Sequence, residues 1–308
     1  MKKMMFLAAA AVVALSGCVK SESVDLGGKK AIAFEAFNEV SARGPIEGTA
    51  YPDNGEFKTF AVFNNGNAAY FEPTVFGDGD SNGEWSGDPA RYWPTTGVLD
   101  FAAYHPASLA GTATPTYNGG IESIVITGIN NKDAQEDIMF SNLIDNAACT
   151  DHTSRAMVFN HALSQIEVHV VANKAGVFEV TNLTLNNTVQ GGTLTINPAV
   201  SSTAAWSAPT AGVNMAIVDS AVAVPTTVGK IGSSILVVPG TQTSLDLTYT
   251  IDGSAPIAHP TINLAANGEW VMGKKYIYTI SFGAHEITFT PSVADSWTPT
   301  VPVDGGSI

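Results

Sequence analysis

The chain has few cysteines and few charged residues. Only two of its 308 residues are cysteines, Cys18 and Cys149, and 14% are Asp, Glu, Lys or Arg. If Cys18 has a separate use, as the N-terminal sequence suggests, Cys149 has no partner for an internal disulfide and the fold depends on burial of apolar side chains. The 28 acidic residues outnumber the 14 basic ones. Because an acidic surface repels nucleic acids, DNA and RNA are not expected as partners.

Segments typical of membrane-spanning and helical proteins are also scarce. No long apolar run follows Leu15, so no transmembrane helix is expected in the rest of the chain. Apolar residues rarely recur with the 3.6-residue period of an amphipathic helix. The 29 glycines and 16 prolines instead favour a chain with many turns.

Sequence patterns of enzymes and metal sites are missing as well. The chain has no Gly-x-Ser-x-Gly elbow, no P-loop and no dinucleotide-binding fingerprint. Its six histidines form no His-x-x-x-His pair of the kind that binds zinc. We therefore predict no catalytic residues, no metal and no cofactor, and interpret Cys149 as a packed or loop residue.

The N-terminus has the features of an export signal. A basic Met-Lys-Lys head precedes an apolar run over residues 4–15, which has the length of a signal-peptide core and is too short to span a membrane. Residues 15–18, Leu-Ser-Gly-Cys, resemble the bacterial lipobox, in which the signal is removed before the cysteine and the thiol is acylated. We predict a signal peptide over 1–17, lipidation of Cys18 and a lipidated tether over 18–30. The alternative is an ordinary signal peptide with an incidental cysteine.

Strand signals dominate the remainder of the chain. Short segments rich in Val, Ile, Thr, Tyr and Phe are separated by clusters of Gly, Pro, Asn and Asp. In residues 165–170 and 245–251 every second residue is apolar, which places one face in a core and the other in water. These patterns predict an all-β fold built from sandwiches. The clearest predicted strands are 31–34, 57–63, 121–126, 165–172, 234–238, 244–251, 275–282 and 286–290.

The length of the chain favours two domains. Strand segments fall in both halves, and a loop-rich stretch over 130–155 separates them. We predict an N-terminal β-sandwich over 31–155 and a C-terminal β-sandwich with a short tail over 156–308.

An ordered set of motifs through the chain resembles the fimbrillin-like lipoproteins of Bacteroidetes, which are subunits and anchors of type V pili. No single motif is decisive, but their order along about 250 residues behind a lipobox is fairly specific. In sequence order they are Trp85, Tyr-Trp-Pro at 92–94, Leu-Asp-Phe-Ala-Ala-Tyr-His-Pro at 99–106, Asp-Ile-Met at 137–139, Phe-Asn-His-Ala-Leu-Ser-Gln-Ile at 159–166, Gln-Gly at 190–191, Trp206, Val-Pro at 238–239, Trp270, Gly-Lys-Lys-Tyr-Ile-Tyr at 273–278, Ile-Thr-Phe at 287–289 and Asp-Ser-Trp at 295–297.

This resemblance implies two transthyretin-like β-sandwich domains in tandem and an adhesive or structural role. It implies other pilus subunits as partners through β-strand addition, attachment to the outer membrane through lipid, and a ligand on a host or bacterial surface. Whether the subunit would be a stalk, a tip or an anchor stays open.

The resemblance also implies a mechanism for the first strand. In this family a trypsin-like protease can cut after an Arg that follows the first strand, and a strand from another subunit fills the groove left behind. Arg43 lies in the matching place, and the removed strand would contribute Ile32 and Phe34 to the core. The alternative is that Arg43 is a surface residue beside a turn. Pro299 and Pro302 make the C-terminal tail a poor donor strand, because proline removes ladder donors.

Aromatic residues leave a second function open. If Trp85, Tyr92 and Trp93 are exposed, they would form a platform for a sugar ring, and the chain would be a glycan-binding surface lipoprotein that does not polymerise. If they are buried, they are core residues of a small sandwich. A hydrolase is a third and weaker hypothesis.

Two short motifs have a structural alternative each. Residues 78–83, Asp-Gly-Asp-Ser-Asn-Gly, match the first half of a calcium loop, but Pro89 at the twelfth position supplies no carboxylate, which favours a plain polar turn. Residues 219–221, Asp-Ser-Ala, resemble the O-glycosylation motif of Bacteroidetes, in which Ser220 would be the modified residue. The alternative is an unmodified turn.

Overall fold

Strands make up most of the folded chain. The computed structural model describes residues 30–38, 51, 55–283 and 286–294. Within these residues the only helix is the 3-10 turn Ala265–Asn267, and no helix is long and apolar enough to cross a membrane. The prediction of an all-β fold is confirmed.

The first ten strands are β1 Ala33–Asn38, β2 Phe57–Phe63, β3 Ala69–Gly77, β4 Trp85–Asp88, β5 Val98–His105, β6 Thr112–Tyr117, β7 Ile121–Asn130, β8 Met139–Ser141, β9 Ile144–Ala148 and β10 Arg155–His161. The remaining strands are β11 Ser164–Ala172, β12 Phe178–Thr188, β13 Gly191–Asn197, β14 Thr203–Ser207, β15 Val213–Val218, β16 Val222–Ala223, β17 Gly229–Val237, β18 Gly240–Thr241, β19 Ser244–Ile251, β20 Ile257–Ala258, β21 Ile262–Asn263, β22 Glu269–Trp270, β23 Lys275–Phe282 and β24 Ile287–Ala294.

Eight strands form one sheet, and seven of them close a ring that we call the barrel. The order is β2-β3-β4-β1-β10-β8-β5, and β5 pairs again with β2, while β9 adds to β5. β1 runs parallel to β10, whereas the other ring pairs are antiparallel. Closure leaves no free edge in the ring, which removes a site of unwanted strand pairing.

A four-stranded sheet, the bridging sheet, packs against the outside of the barrel. Its order is β14-β13-β7-β6. Inward side chains such as Ile126 and Leu194 share a buried core with Phe60 of β2 and Tyr104 of β5. Two of its strands precede residue 155 and two follow it, so pairing between β7 and β13 joins the two halves of the chain. The domain boundary near residue 155 stays a prediction.

Two further sheets pack face to face and form the sandwich. One has the order β17-β11-β23-β24, and the other the order β15-β12-β19-β20, with β16 and β21 beside it. β11 and β23 are parallel from Gln165 opposite Lys275 to Ala172 opposite Phe282. Their inward side chains meet those of β12 and β19 in a core that is mainly aliphatic.

The aromatic residues of the 270–278 motif have a structural role in the sandwich. The indole of Trp270 donates a hydrogen bond to the Tyr278 hydroxyl at 2.9 Å, and that hydroxyl donates to Oε1 of Gln242 at 2.6 Å. All three side chains are buried. Because buried polar groups cost free energy unless they are paired, this chain of bonds holds the short strands β18 and β22 against β23.

The outer face of the sandwich carries a buried carboxylate. Glu167 lies on β11 between the core residues Ile166 and Val168, and its side chain points away from the core. There the Lys275 ammonium lies 2.9 Å from its Oε2, and the Ser234 hydroxyl donates to its Oε1 at 3.0 Å. Burial by itself raises the pKa of Glu167, but hydrogen bonds from His169 and Lys275 outweigh burial and lower the pKa from 4.5 to about 2. The carboxylate therefore stays ionised in the folded protein.

Most strand predictions agree closely with the structure. The predicted strands at 57–63, 244–251 and 275–282 coincide with β2, β19 and β23. The strand predicted at 31–34 begins later, at Ala33, because Ala31 makes only an isolated bridge to Tyr92. These segments were predictable because each is short, rich in Val, Ile, Thr, Tyr and Phe, and flanked by turn residues.

Candidate functional site

The first strand of the barrel is the site that the sequence analysis singles out. Alternation places Ile32, Phe34 and Ala36 in the barrel core, where Ile32 and Phe34 have no exposed surface. Glu35 and Phe37 point outward and are exposed. The two residues predicted to face the core therefore lie on the same buried face, as the period of a strand requires.

Pairing holds this strand unevenly along its length. Ahead of β1, the amide of Ile32 donates to the carbonyl of Arg91 at 2.7 Å, and the amide of Trp93 donates to the carbonyl of Lys30 at 2.9 Å. β4 contacts β1 only at Ala33 and Phe34. The pairing with β10 is longer and runs to the end of β1 at Asn38. The ring is thus closed on one side by a short antiparallel contact and on the other by a parallel one.

Phe34 sits at the centre of an aromatic cluster. Its ring centroid lies 5.0 Å from that of Phe76, 5.2 Å from that of Phe101 and 6.0 Å from that of Phe57, with edge-to-face geometry in each pair. Aromatic pairs of this kind add to the free energy gained from burial. Burial of each of Ile32 and Phe34 contributes about 1.5–3 kcal/mol. Removal of β1 would therefore expose an apolar groove lined by aromatic rings.

A hydrogen bond between two side chains crosses the outer face of β1. Glu84 immediately precedes β4 and Ser154 immediately precedes β10, so the two residues lie on opposite sides of β1. The Ser154 hydroxyl donates to Oε1 of Glu84. Ala31 and Ala33 form the floor beneath, and their small side chains leave a shallow groove. We call this hydrogen bond the strap, since it joins the two neighbours of β1 over that strand.

One end of the barrel core is filled by Tyr51. Its ring contacts Phe57, Trp85 and Phe159 at centroid distances of 4.9–5.7 Å, and its hydroxyl lies 2.5 Å from Nδ1 of His105. Burial raises the pKa of Tyr51 and lowers the pKa of His105 below its ordinary value of 6.5. Both groups are therefore neutral near pH 7, and the contact between them is structural.

Several predicted site residues lie elsewhere or outside the described part of the chain. Cys18 and Arg43 lie outside the described residues, so lipidation of Cys18 and cleavage after Arg43 stay predictions. Ser220 is exposed in a bend between β15 and β16. It is therefore accessible, and its glycosylation stays a prediction. Cys149 is buried, and burial raises the pKa of its thiol, which disfavours a nucleophilic thiolate.

The loop at residues 78–83 closes on itself. The Asp78 carboxylate accepts hydrogen bonds from the backbone amides of Asn82 at 3.0 Å and Gly83 at 2.8 Å. These two bonds satisfy the carboxylate within the loop itself. Across the described residues, no group of three or more His, Cys, Asp or Glu side chains is placed to hold a metal ion. The choice between a polar turn and a calcium loop stays a prediction.

The aromatic residues considered for a glycan platform are not available for stacking. Trp85 and Trp93 are 5% exposed, and Tyr92 is half-buried. The Trp85 indole donates to the Gly55 carbonyl at 2.8 Å inside the barrel. Because a sugar ring stacks on an exposed aromatic face, the glycan platform built on these three residues is wrong. Trp85 and Trp93 are core residues of the barrel.

Three features of the site had no clear signal in the sequence. The parallel pairing of β1 with β10 joins segments far apart in the chain. The strap depends on Glu84 and Ser154, two ordinary polar residues in loops. Tyr51 lies outside any predicted strand. The one available signal was its residue type. Aromatic residues make up 9% of the chain and are often buried, so an aromatic residue between predicted strands is a candidate for burial.

Comparison with known proteins agrees with this architecture. A family model for fimbrillin-like proteins matches residues 41–297. A solved fimbrial protein from Bacteroides vulgatus is 14% identical, with a TM-score of 0.58 over 87% of this chain and 100% of the other. A candidate cell adhesion protein from Bacteroides uniformis is 16% identical, with a TM-score of 0.56 over 87% of this chain and 99% of the other. No curated protein sequence matches the chain. At these identities the solved structures support the fold alone.

Proposed function

The chain belongs to the fimbrillin-like family, and from this premise we propose that it is a lipid-anchored structural or adhesive subunit of a cell-surface pilus, assembled by protease-triggered strand exchange. The family supports a role in pili or adhesion and a location at the cell surface. The observation that carries strand exchange is the buried face of β1, where Ile32 and Phe34 fill an aromatic core inside a ring of strands.

Strand exchange has a physical basis in this arrangement. Loss of β1 would leave β4 and β10 with unpaired backbone groups on either side of an apolar groove. An incoming strand would restore main-chain hydrogen bonds and place alternate side chains where Ile32 and Phe34 lay. Because the vacated groove is apolar and its edges are unpaired, the cut subunit gains free energy from a partner strand.

Cleavage after Arg43 is the proposed trigger. Arg43→Ala should leave folding unchanged and block assembly, because a trypsin-like protease recognises a basic side chain at the cleaved bond. Arg43→Lys is the matched variant that keeps the positive charge. Purified precursor is treated with such a protease, and the new N-terminus and the oligomer size are measured. A cut at Arg43 whose product stays monomeric with partner subunits present would rule out strand exchange.

The lipid anchor is proposed to be Cys18. Acyl burial contributes about 0.8 kcal/mol per CH₂ group, so two or more chains hold a protein at a membrane. Cys18→Ala should therefore release the protein from the outer-membrane fraction without unfolding it. Fractionation with metabolic lipid labelling measures this. A Cys18→Ala protein that is still labelled and retained would show that the anchor lies elsewhere.

Two transthyretin-like domains divided near residue 155 are part of the same proposal. Limited proteolysis tests the division, because a single cut near residue 155 should then release two fragments that each keep β-sheet circular dichroism. Fragments that unfold on separation would show that the bridging sheet, together with the pairing of β10 with β1 and β8, makes the halves one unit.

A further inference from the structure

The bridging sheet ends at β14 in an open and regular edge. β14 pairs with β13 at five consecutive positions, from Thr203 opposite Asn197 to Ser207 opposite Thr193, with no shift of register. Among the described strands, β13 is the one neighbour of β14. On its other side, β14 therefore presents the backbone N–H and C=O groups of alternate residues to any further strand.

The composition of β14 lacks the features that protect an open edge from pairing. Exposed edges are usually blocked by a charged residue, a proline or a bulge. β14 reads Thr-Ala-Ala-Trp-Ser and contains neither a charged residue nor a proline. The charged residue of the bridging sheet, Glu122, lies on β7, and β13 separates β7 from β14.

The other strands with a neighbour on one side only carry at least one such feature or are very short. Proline occurs in β6, at Pro115, and in β24, at Pro291. A charged residue occurs in β17, at Lys230, and in β9, at Asp145. The pairing of β15 with β12 is irregular at two places, and β16, β18, β20, β21 and β22 have two residues each. Among the strands that the structure describes, β14 is therefore the unprotected edge.

Apolar side chains lie partly exposed along this edge. Ala204 and Trp206 pack against the core shared with the barrel, and both keep some exposed surface. The Trp206 side chain is held in place, because its indole donates a hydrogen bond to the Ala162 carbonyl at 2.7 Å. On the opposite face, the other three residues of β14 are short and exposed. An added strand would cover the apolar pair and meet only short side chains on the other face.

We propose that β14 pairs with β14 of a second copy of this chain, antiparallel and about a two-fold axis at Ala205. In this register all five residues of the strand have a partner. Ala204 of each copy lies beside Trp206 of the other, so a small side chain accompanies a large one. Thr203 lies opposite Ser207, where the two hydroxyls can form a hydrogen bond. The strand is therefore complementary to itself, as an isologous contact requires.

Charge favours a second copy as the partner of this edge in particular. The chain has a net charge of −14, so two copies repel each other over most of their surfaces. Like charges directly opposite each other also destabilise a pair of strands. Because β14 has no charged residue, two equally acidic copies can pair here without placing carboxylates against each other.

The contact is extended but small. It would join the two bridging sheets into one continuous sheet with about four to six new main-chain hydrogen bonds. A stable interface buries about 800 Å² on each partner, which is more than one strand edge provides, so free copies associate weakly. The contact becomes effective where copies are held close together. It requires neither cleavage nor loss of β1, so it does not depend on strand exchange.

Cysteine cross-linking of the full chain tests the partner. Ala205→Cys places two thiols at the axis, where the Cβ atoms of opposite residues lie about 4.5–5.5 Å apart. Thr114→Cys, exposed on the opposite edge strand of the same sheet, is the matched control. Purified protein at high concentration is oxidised mildly, and disulfide-linked dimers are measured on a non-reducing gel. We expect at least tenfold more dimer from Ala205→Cys than from Thr114→Cys. Equal yields would overturn the proposal.

Two further cysteine variants test the register. Thr203→Cys and Ser207→Cys should each form few dimers alone, because the same residue in the two copies would lie about 14 Å apart. A mixture of the two chains should cross-link as efficiently as Ala205→Cys, since these positions lie opposite each other. If Thr203→Cys alone forms as much dimer as the mixture, the two-fold pairing at Ala205 is wrong.

Charged substitutions at the axis separate strand pairing from general repulsion. In the mixture of Thr203→Cys and Ser207→Cys chains, Ala205→Lys in both chains or Ala205→Glu in both should lower the dimer yield at least fivefold, because like charges meet at the axis. Ala205→Lys in one chain with Ala205→Glu in the other should restore the yield. Thr114→Lys in both chains is the control and should change little. If Ala205→Lys in both chains raises the yield, or the oppositely charged mixture stays low, β14 is not the contact.

Discussion

The cores of the barrel and the sandwich differ in their content of aromatic residues. Nine of the eighteen buried residues in the barrel core are aromatic, whereas only five of the twenty-two in the sandwich core are. The sandwich relies on long strands with continuous pairing, such as β11 with β23 from Gln165 to Ala172. The barrel relies on large rings that fill a closed space around a short first strand. The stability of the barrel therefore depends more on one strand, β1, than the stability of the sandwich depends on any one of its strands.

This difference between the two regions bears on the proposed removal of β1. In the sandwich, β11 is paired along its whole length with β23, and its loss would divide a sheet. In the barrel, β1 contacts β4 at only two positions, but it supplies the ring at the centre of the aromatic cluster. β1 pairs with β10 at five positions, so its ladder is short on one side only. A strand with a short ladder on one side and much buried apolar surface is costly to leave absent, which favours its replacement by another strand.

The largest expected effect comes from truncation at the centre of each core. Phe34→Ala should destabilise the barrel by about 3–5 kcal/mol, because it removes a fully buried ring and leaves a cavity. Phe282→Ala, which removes an equally buried ring from the sandwich, is the matched variant. Hydrogen exchange read by mass spectrometry should show lost protection in β4 and β10 for the first variant and in β12 and β19 for the second. Equal loss in both regions for either variant would show that barrel and sandwich unfold as one unit.

A somewhat smaller effect should depend on pH and belong to the sandwich. The lowered pKa of Glu167, about 2 against 4.5, stabilises the fold by about 3 kcal/mol at neutral pH. A group whose pKa is lower in the folded state binds its proton more readily when unfolded. The stabilisation is therefore complete above pH 4.5 and is lost as the pH falls from about 4.5 to about 2.

Glu167→Gln should lower the melting temperature at neutral pH and flatten its dependence on pH in that range. Glu122→Gln, at an exposed position, should leave both unchanged. Thermal melts followed by circular dichroism between pH 2 and 7 measure the difference. An unchanged pH dependence in Glu167→Gln would assign the acid sensitivity to other carboxylates.

The smallest effect should come from the strap. Glu84→Ala removes the hydrogen bond to Ser154 and should cost about 0.5–1 kcal/mol at most, because the pair is exposed to solvent. Hydrogen exchange in β1 should quicken by a factor of a few, while the sandwich strands keep their protection. Glu72→Ala, at another exposed barrel glutamate, is the control. Unchanged exchange in β1 would mean that the strap does not hold this strand.

Local patterns predicted the strands but not how they assemble. The apolar alternation at 245–251 was sufficient to place β19, because one-sided burial leaves a period of two in the sequence. β2 is buried on both faces and was placed by its composition and its flanking turn residues. The bridging sheet had no such signal. β7 was predicted over 121–126, whereas β13 is not among the strands predicted above. Nothing in either segment says that they pair with each other across the middle of the chain.

In the candidate site, too, some features were predictable from local sequence patterns and others were not. The inward positions of Ile32 and Phe34 follow from alternation, and the prediction for their strand needed nothing more. The partner strand β10 could not be inferred, because parallel pairing between segments so far apart depends on the whole ring. Trp85 and Trp93 were open to two interpretations, since an aromatic residue in a strand fits a core and a platform equally well until its exposure is known.

The parallel pairing of β1 with β10 has a consequence for the order of events during synthesis and secretion. Residues 39–154 lie between the two strands, so the first strand to leave the ribosome or enter a translocation channel waits longest for its main partner. Contacts between segments far apart in sequence form slowly. The barrel therefore closes late, and the strand made first is the strand added last. If strand exchange operates as proposed, an extended segment from a neighbouring chain would compete for the same place during that interval.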